Sequence, residues 1–99
     1  MRFTVAPDHP ALPGHFPGRP IVPGVLLLDQ VMRAIAAREP EAPPPSRVLR
    51  AKFAAPVLPG VEVSIELGPR QSGRIAFLCR AEGIIVLRGE FACPTAPAS

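Results

Sequence analysis

From residue 47 onward, apolar and polar residues alternate along the chain. The segments RVLRAKFA (47–54), VEVSIEL (61–67), RIAFLCRAE (74–82) and IIVLRGEFA (84–92) read as four strands, because a period of two places every second side chain on one face of a sheet. Leu49, Ala51 and Phe53 fall on one face of the first of these, and Val61, Val63, Ile65 and Leu67 on one face of the second. PRQSG and EG supply the hairpin turns between the last three. RFTVA (2–6) reads as a further short strand. Pro7, Pro10, Pro13, Pro17 and Pro20 keep the stretch after it out of helix and out of any central ladder. Pro23 and Gly24 open a helix that runs to about Arg38, with proline in the first turn, where its missing N–H costs nothing. Val25 to Leu28 point in four directions around that helix, and Val31, Met32, Ala34 and Ile35 continue the coverage, so it is expected to be buried nearly all round. EPEAPPPS (39–46) is a rigid connector and CPTAPAS a frayed end. One buried helix followed by an antiparallel meander predicts an α+β fold, a sheet curled around a helix. Apolar residues on both faces of the last two strands predict that a second copy covers the remainder.

The length of 99 residues holds one domain, 1–99. Hydrophobic residues make up 47% of the chain, yet no uninterrupted apolar run exceeds five residues. That excludes a transmembrane helix, which needs about 20, and the first residues lack the apolar core of a signal peptide, so a cytoplasmic protein is expected. Cys79 and Cys93 both sit in apolar segments and are read as buried side chains that do not pair. The net charge is +3, and the ten arginines are spread without a cluster. With no Trp, no Tyr and five Phe there is no platform on which bases could stack, which argues against nucleic acid. An acidic or phosphate-bearing partner suits the mild basicity better.

The chemistry is concentrated in GHFPGRPIVPGVLLLD (14–29). Asp29 has Val25 and Leu26 one turn before it and Met32 nearly one turn after, so it is expected to be buried, and a buried carboxyl tends toward the neutral acid unless paired. A neutral acid beside the imidazole of His15 would combine a general acid and a general base in one pocket. The Gly24 N–H lies at the positive end of the helix, suited to polarising a carbonyl oxygen, and glycine lets a substrate approach the backbone. Phe16 and Val25 are read as lining an acyl pocket. Spacing alone leaves another reading open: His15 as a loop histidine tying backbone groups, and Asp29 as the i,i+4 ion-pair partner of Arg33. His9 and Asp8 offer no short ligand pair, and no metal site is expected.

The same stretch resembles the signature of the β-hydroxyacyl-acyl carrier protein dehydratases of the FabA/FabZ type. In these a His-Phe-Pro loop runs into a Pro-Gly-Val helix start and an acid follows the histidine by fourteen positions, here His15 to Asp29. The likeness continues in AKFAAPVLPGVEVSIEL (51–67) and LRGEFAC, and HPALPGHFPG with LLLDQV is most like the small ApeI-like dehydratases. The resemblance implies a hot-dog fold and a dimer, a homodimer or a heterodimer with a related subunit, with sites at the interface. It implies His15 as the base at the α-carbon, Asp29 of the other subunit as the acid at the β-hydroxyl, and Gly24 as donor to the thioester carbonyl. The partner it implies is an acyl carrier protein whose phosphopantetheine arm belongs to the substrate, with no metal or redox cofactor. The reaction implied is loss of water from a 3-hydroxyacyl thioester to give a trans-2-enoyl thioester, in fatty acid, aryl polyene or related lipid or polyketide synthesis. Two departures stand out: the acid is Asp where plain dehydratases mostly carry Glu, and Arg33 occupies a position that often holds Gln. Arg33 is expected to turn outward. A hot-dog acyl thioesterase and a non-catalytic subunit of a dehydratase heterodimer are the alternatives.

Overall fold

A computed structural model describes residues 1–6 and 21–94. His15, Phe16, His9, Asp8 and the proline-rich loop lie outside the described residues, as do residues 95–99. The elements are β1 (Arg2–Thr4), α1 (Gly24–Arg38), β2 (Arg47–Phe53), β3 (Glu62–Leu67), β4 (Arg74–Ala81) and β5 (Ile84–Ala92), each within two residues of its expected bounds. They form one antiparallel sheet in the order β1-β3-β4-β5-β2, with the helix against its inner face. This is the hot-dog arrangement. The two hairpins turn where SG and EG stand: Ser72 and Gly73 at φ 54° and 72°, Glu82 and Gly83 at φ 52° and 77°. Positive φ at both central positions is the type I′ pattern that matches strand twist.

The core is built by Leu27, Val31, Ala34 and Ile35 of α1 against Val63, Ile65, Ile75, Phe77, Cys79, Leu87 and Phe91 of the sheet. Phe77 and Phe91 meet across the β4–β5 pair with ring centroids 4.9 Å apart. Cys79 and Cys93 are free and buried, and burial pushes the Cys79 thiol up to about 11. Cys93, expected at the start of a frayed end, is tied instead by its N–H to the Gly73 carbonyl at 2.8 Å.

Three expectations are corrected. The helix is not buried all round: the sheet covers only the stripe 27, 31, 34, 35, leaving Val25 at 69% and Met32 at 37% exposure. The strands are not a simple meander, because β2 crosses to the far edge and pairs with β5. Nor do Leu49, Ala51 and Phe53 share one face. A bulge at Leu49, between the Val48↔Phe91 and Arg50↔Glu90 pairs, shifts the alternation so that Val48, Ala51 and Phe53 face the helix side. Every residue of β2 is exposed. A second bulge, at Val86, lets both Val86 and Leu87 bury.

Candidate active site

The helix begins abruptly. Pro23, at φ −59° and ψ 140°, is extended and occupies the N-cap, no side chain among the described residues caps the first turn, and no acidic residue stands in it. The donors of that turn therefore keep the positive end of the helix unsatisfied by side chains. Beside it lies a mostly apolar cleft of about 520 Å³, lined by Val22, Gly24 and Leu27 on one side and Phe53, Ala55 and Val57 on the other. A hydrogen bond from the Val22 N–H to the Val57 carbonyl, 2.8 Å, holds the two walls together.

Gly24 makes a close contact that the sequence did not reveal. A Cβ at this position would stand 2.7 Å from the ring of Phe53, so glycine lets the aromatic ring lie over the helix start. Phe53 is half exposed on an edge strand, and its ring is the cover between solvent and the Gly24 backbone. Its only sequence signal was a large apolar residue ending a strand and followed by two alanines and a proline.

Asp29 is not buried. Its side chain is 50% exposed and its Oδ2 accepts a 2.8 Å hydrogen bond from Nε of Arg33, itself 71% exposed. The hydrogen bond and charge of Asp29 hold the Arg33 guanidinium above its ordinary pKa. Arg33 therefore clamps Asp29 rather than turning away. The neighbours expected to bury the acid, Val25 and Met32, lie with it on the uncovered stripe of the helix. Val25 points to solvent and is not part of the cleft wall. Gly24 and Asp29 are five residues apart, which turns them about 140° from each other around the helix axis. One chain thus presents the helix start to its own cleft and the carboxylate to its outside. Among the described residues no three His, Cys, Asp or Glu side chains converge as metal ligands, and no helix is long and apolar enough to cross a membrane.

Residues 1–90 match the family described as ApeI-like, ApeI dehydratase. The chain is 33% identical over 100 residues to the 3-hydroxyacyl-(acyl-carrier-protein) dehydratase FabZ of Haemophilus influenzae, covering 91% of this chain and 65% of that protein. It is 37% identical to FabZ of Myxococcus xanthus, covering 89% and 66%, and thus spans just under two thirds of the length of these two relatives. Among solved structures, it superposes on a chain of the dehydratase heterocomplex ApeI:P from Xenorhabdus doucetiae with TM-score 0.82 at 22% identity, covering 94% of this chain and 84% of that one. An uncharacterized protein from Erwinia carotovora gives TM-score 0.78 at 25% identity, covering 92% and 77%.

Proposed function

The chain belongs to the ApeI-like dehydratase family, and on that premise we propose that it is a 3-hydroxyacyl-carrier-protein dehydratase of the cytoplasm. The observation that carries the reading is the uncapped helix start at Gly24 opening onto an apolar cleft. The cleft suits an acyl chain, and the Gly24 N–H suits a thioester carbonyl whose oxygen gains charge as the α-proton leaves. His15 takes that proton. Asp29 of a second chain donates a proton to the β-hydroxyl, the C–O bond breaks, and water and a trans-2-enoyl thioester result. The carbonyl polarised at Gly24 is what makes the α-carbon acidic enough for an imidazole to serve as base.

A shared site fits the 140° between Gly24 and Asp29, since a carboxylate on the outside of one helix can serve only a neighbouring chain's cleft. The uncovered stripe of Val25 and Met32, with Val48, Leu49 and Phe53 on β2, gives that neighbour an apolar surface to cover. The Arg33–Asp29 ion pair favours a second reading, in which this chain is the partner subunit of a heterodimer and its own acid is idle. The fold neighbour from Xenorhabdus is itself described as a heterocomplex.

The test uses the purified chain and a 3-hydroxyacyl N-acetylcysteamine thioester. Formation of the enoyl thioester, abolished in His15→Ala and Asp29→Asn proteins that still fold, is the expected result. Release of free thiol would identify a thioesterase instead, and turnover that appears only with a second subunit would favour the heterodimer.

A further inference from the structure

The outer face of the sheet, turned away from the helix, carries an uneven charge. Strand register aligns three rows of side chains there across β4, β5 and β2: Leu78–Arg88–Lys52, Ala76–Glu90–Arg50 and Arg74–Ala92–Arg47. Five cations therefore surround one carboxylate. Strands about 4.8 Å apart and alternate residues about 6.8 Å apart make this a patch of roughly 10 by 14 Å. It carries a net +4, more than the +3 of the whole chain. The other half of the same face is balanced, with Arg2 on Glu62 and Arg80 on Glu66.

Glu90 answers only part of this charge. Its Oε1 lies 3.0 Å from Arg50 and 3.8 Å from Arg74. Lys52, Arg88 and Arg47 have no carboxylate within 4 Å among the described residues, and Lys52 stands directly opposite Arg88 in the ladder. Like charges in direct cross-strand register weaken a sheet. Such a pair costs the isolated chain stability and is relieved when an anion sits between its members.

We propose that this patch is a docking surface for an acidic protein, and that the protein is the carrier bearing the acyl thioester; the identity of the partner rests on the dehydratase reading above. The row that contains Lys52 and Arg88 lies at the end of β2, where the next residues, Phe53 to Ala55, form the cleft wall. A carrier seated there can pass its flexible arm around that strand end to Gly24. Discrete carboxylates fit the cations flanking Glu90, with Leu78, Ala76 and Ala92 between them. A phosphate chain would meet Glu90 at the centre and find no aromatic side chain among the described residues: Phe3, Phe53, Phe77 and Phe91 all lie on the inner face by register. A second copy would bring like charge to like charge.

The decisive variant is Lys52→Glu. It sets a carboxylate opposite Arg88, so the fold is expected to melt at or above the wild-type temperature, while docking weakens. KM for a 3-hydroxyoctanoyl carrier protein should rise tenfold or more, with kcat/KM on the N-acetylcysteamine thioester within twofold of wild type. The wild-type KM should climb with added salt and that of the variant much less. Arg88→Glu should behave alike. An unchanged KM in both variants overturns the proposal, as does a single-stranded RNA or anionic vesicle that binds wild type more tightly than the carrier and loses binding in Lys52→Glu. If neither protein turns over the small thioester, the dehydratase reading has failed on its own. Calorimetric titration of the same carrier protein into wild type and variant then decides the docking surface separately.

Discussion

At Asp29 the neighbours along the chain and the neighbours in space say different things. Val25, Leu26 and Met32 suggested burial, but a helix lying on one sheet buries only the residues that face it, and Asp29 falls on the other side. The i,i+4 spacing to Arg33 was the better guide, because it depends on the helix alone. The pair has a consequence for the proposed chemistry. A carboxylate that accepts a 2.8 Å hydrogen bond from a guanidinium must give up that bond and take up a proton before it can protonate a hydroxyl. Arg33→Gln, which keeps a neutral amide in place, is expected to raise kcat on a small-molecule thioester. A tenfold rise corresponds to about 1.4 kcal/mol in the barrier. The melting temperature should hardly move, since exposed pairs contribute little to stability. An unchanged kcat would mean that the pair opens freely before the chemical step. The Gly24–Phe53 contact, by contrast, was invisible in the sequence, because it joins residues brought together only when β2 crosses the sheet.

Among the elements, the strand and helix bounds were legible because each rests on local periodicity and on turn residues that tolerate positive φ. The place of β2 was not, since alternation says which face a residue takes and nothing about which strand it joins. What fixes β2 beside β5 is a close backbone approach. A Cβ on Gly89 would collide with the Arg50 carbonyl oxygen and come within 2.8 Å of the Phe77 ring. Gly89→Ala is therefore expected to destabilise the fold by ~3 kcal/mol or to detach β2, an overpacking cost with backbone that cannot yield. Chemical denaturation with amide exchange of β2 distinguishes the two outcomes, and wild-type stability with a protected β2 would contradict the contact. The helix has a comparable tie at its other end. Glu39 accepts hydrogen bonds from Arg70 at 2.7 Å and Arg38 at 2.9 Å, while Arg38 also donates to the Gly68 carbonyl at 2.6 Å. Arg70 first, then Arg38, holds the Glu39 carboxyl below the usual carboxylate range. A depressed pKa stabilises the fold above the unfolded value of about 4.3 and is lost as pH falls through the folded value. Glu39→Gln should accordingly melt below wild type at pH 7, with the two curves converging at acid pH. A constant difference at all pH values would deny the carboxylate this role.

For the whole molecule, the geometry of one chain is half of a proposed mechanism. Its cleft holds the helix start, its carboxylate looks the other way, and the stripe that carries the carboxylate is flanked by apolar side chains left uncovered. If a second copy completes each site, two sites per dimer form, each joining His15 and Gly24 of one chain to Asp29 of the other. Two inactive variants should then rescue each other. In a heterodimer of His15→Ala with Asp29→Asn, one site inherits both lesions and the other inherits neither. Random exchange makes half the dimers mixed, so about a quarter of the wild-type sites should reappear. The measurement is thioester turnover before and after mixing, with subunit exchange verified by mass spectrometry of differently tagged chains and the dimer mass by light scattering. Recovery near a quarter supports a site shared between copies. No recovery despite verified exchange would place both groups in one chain, and would require Asp29 to reach the cleft by a rearrangement of α1 that its packed stripe of Leu27, Val31, Ala34 and Ile35 opposes.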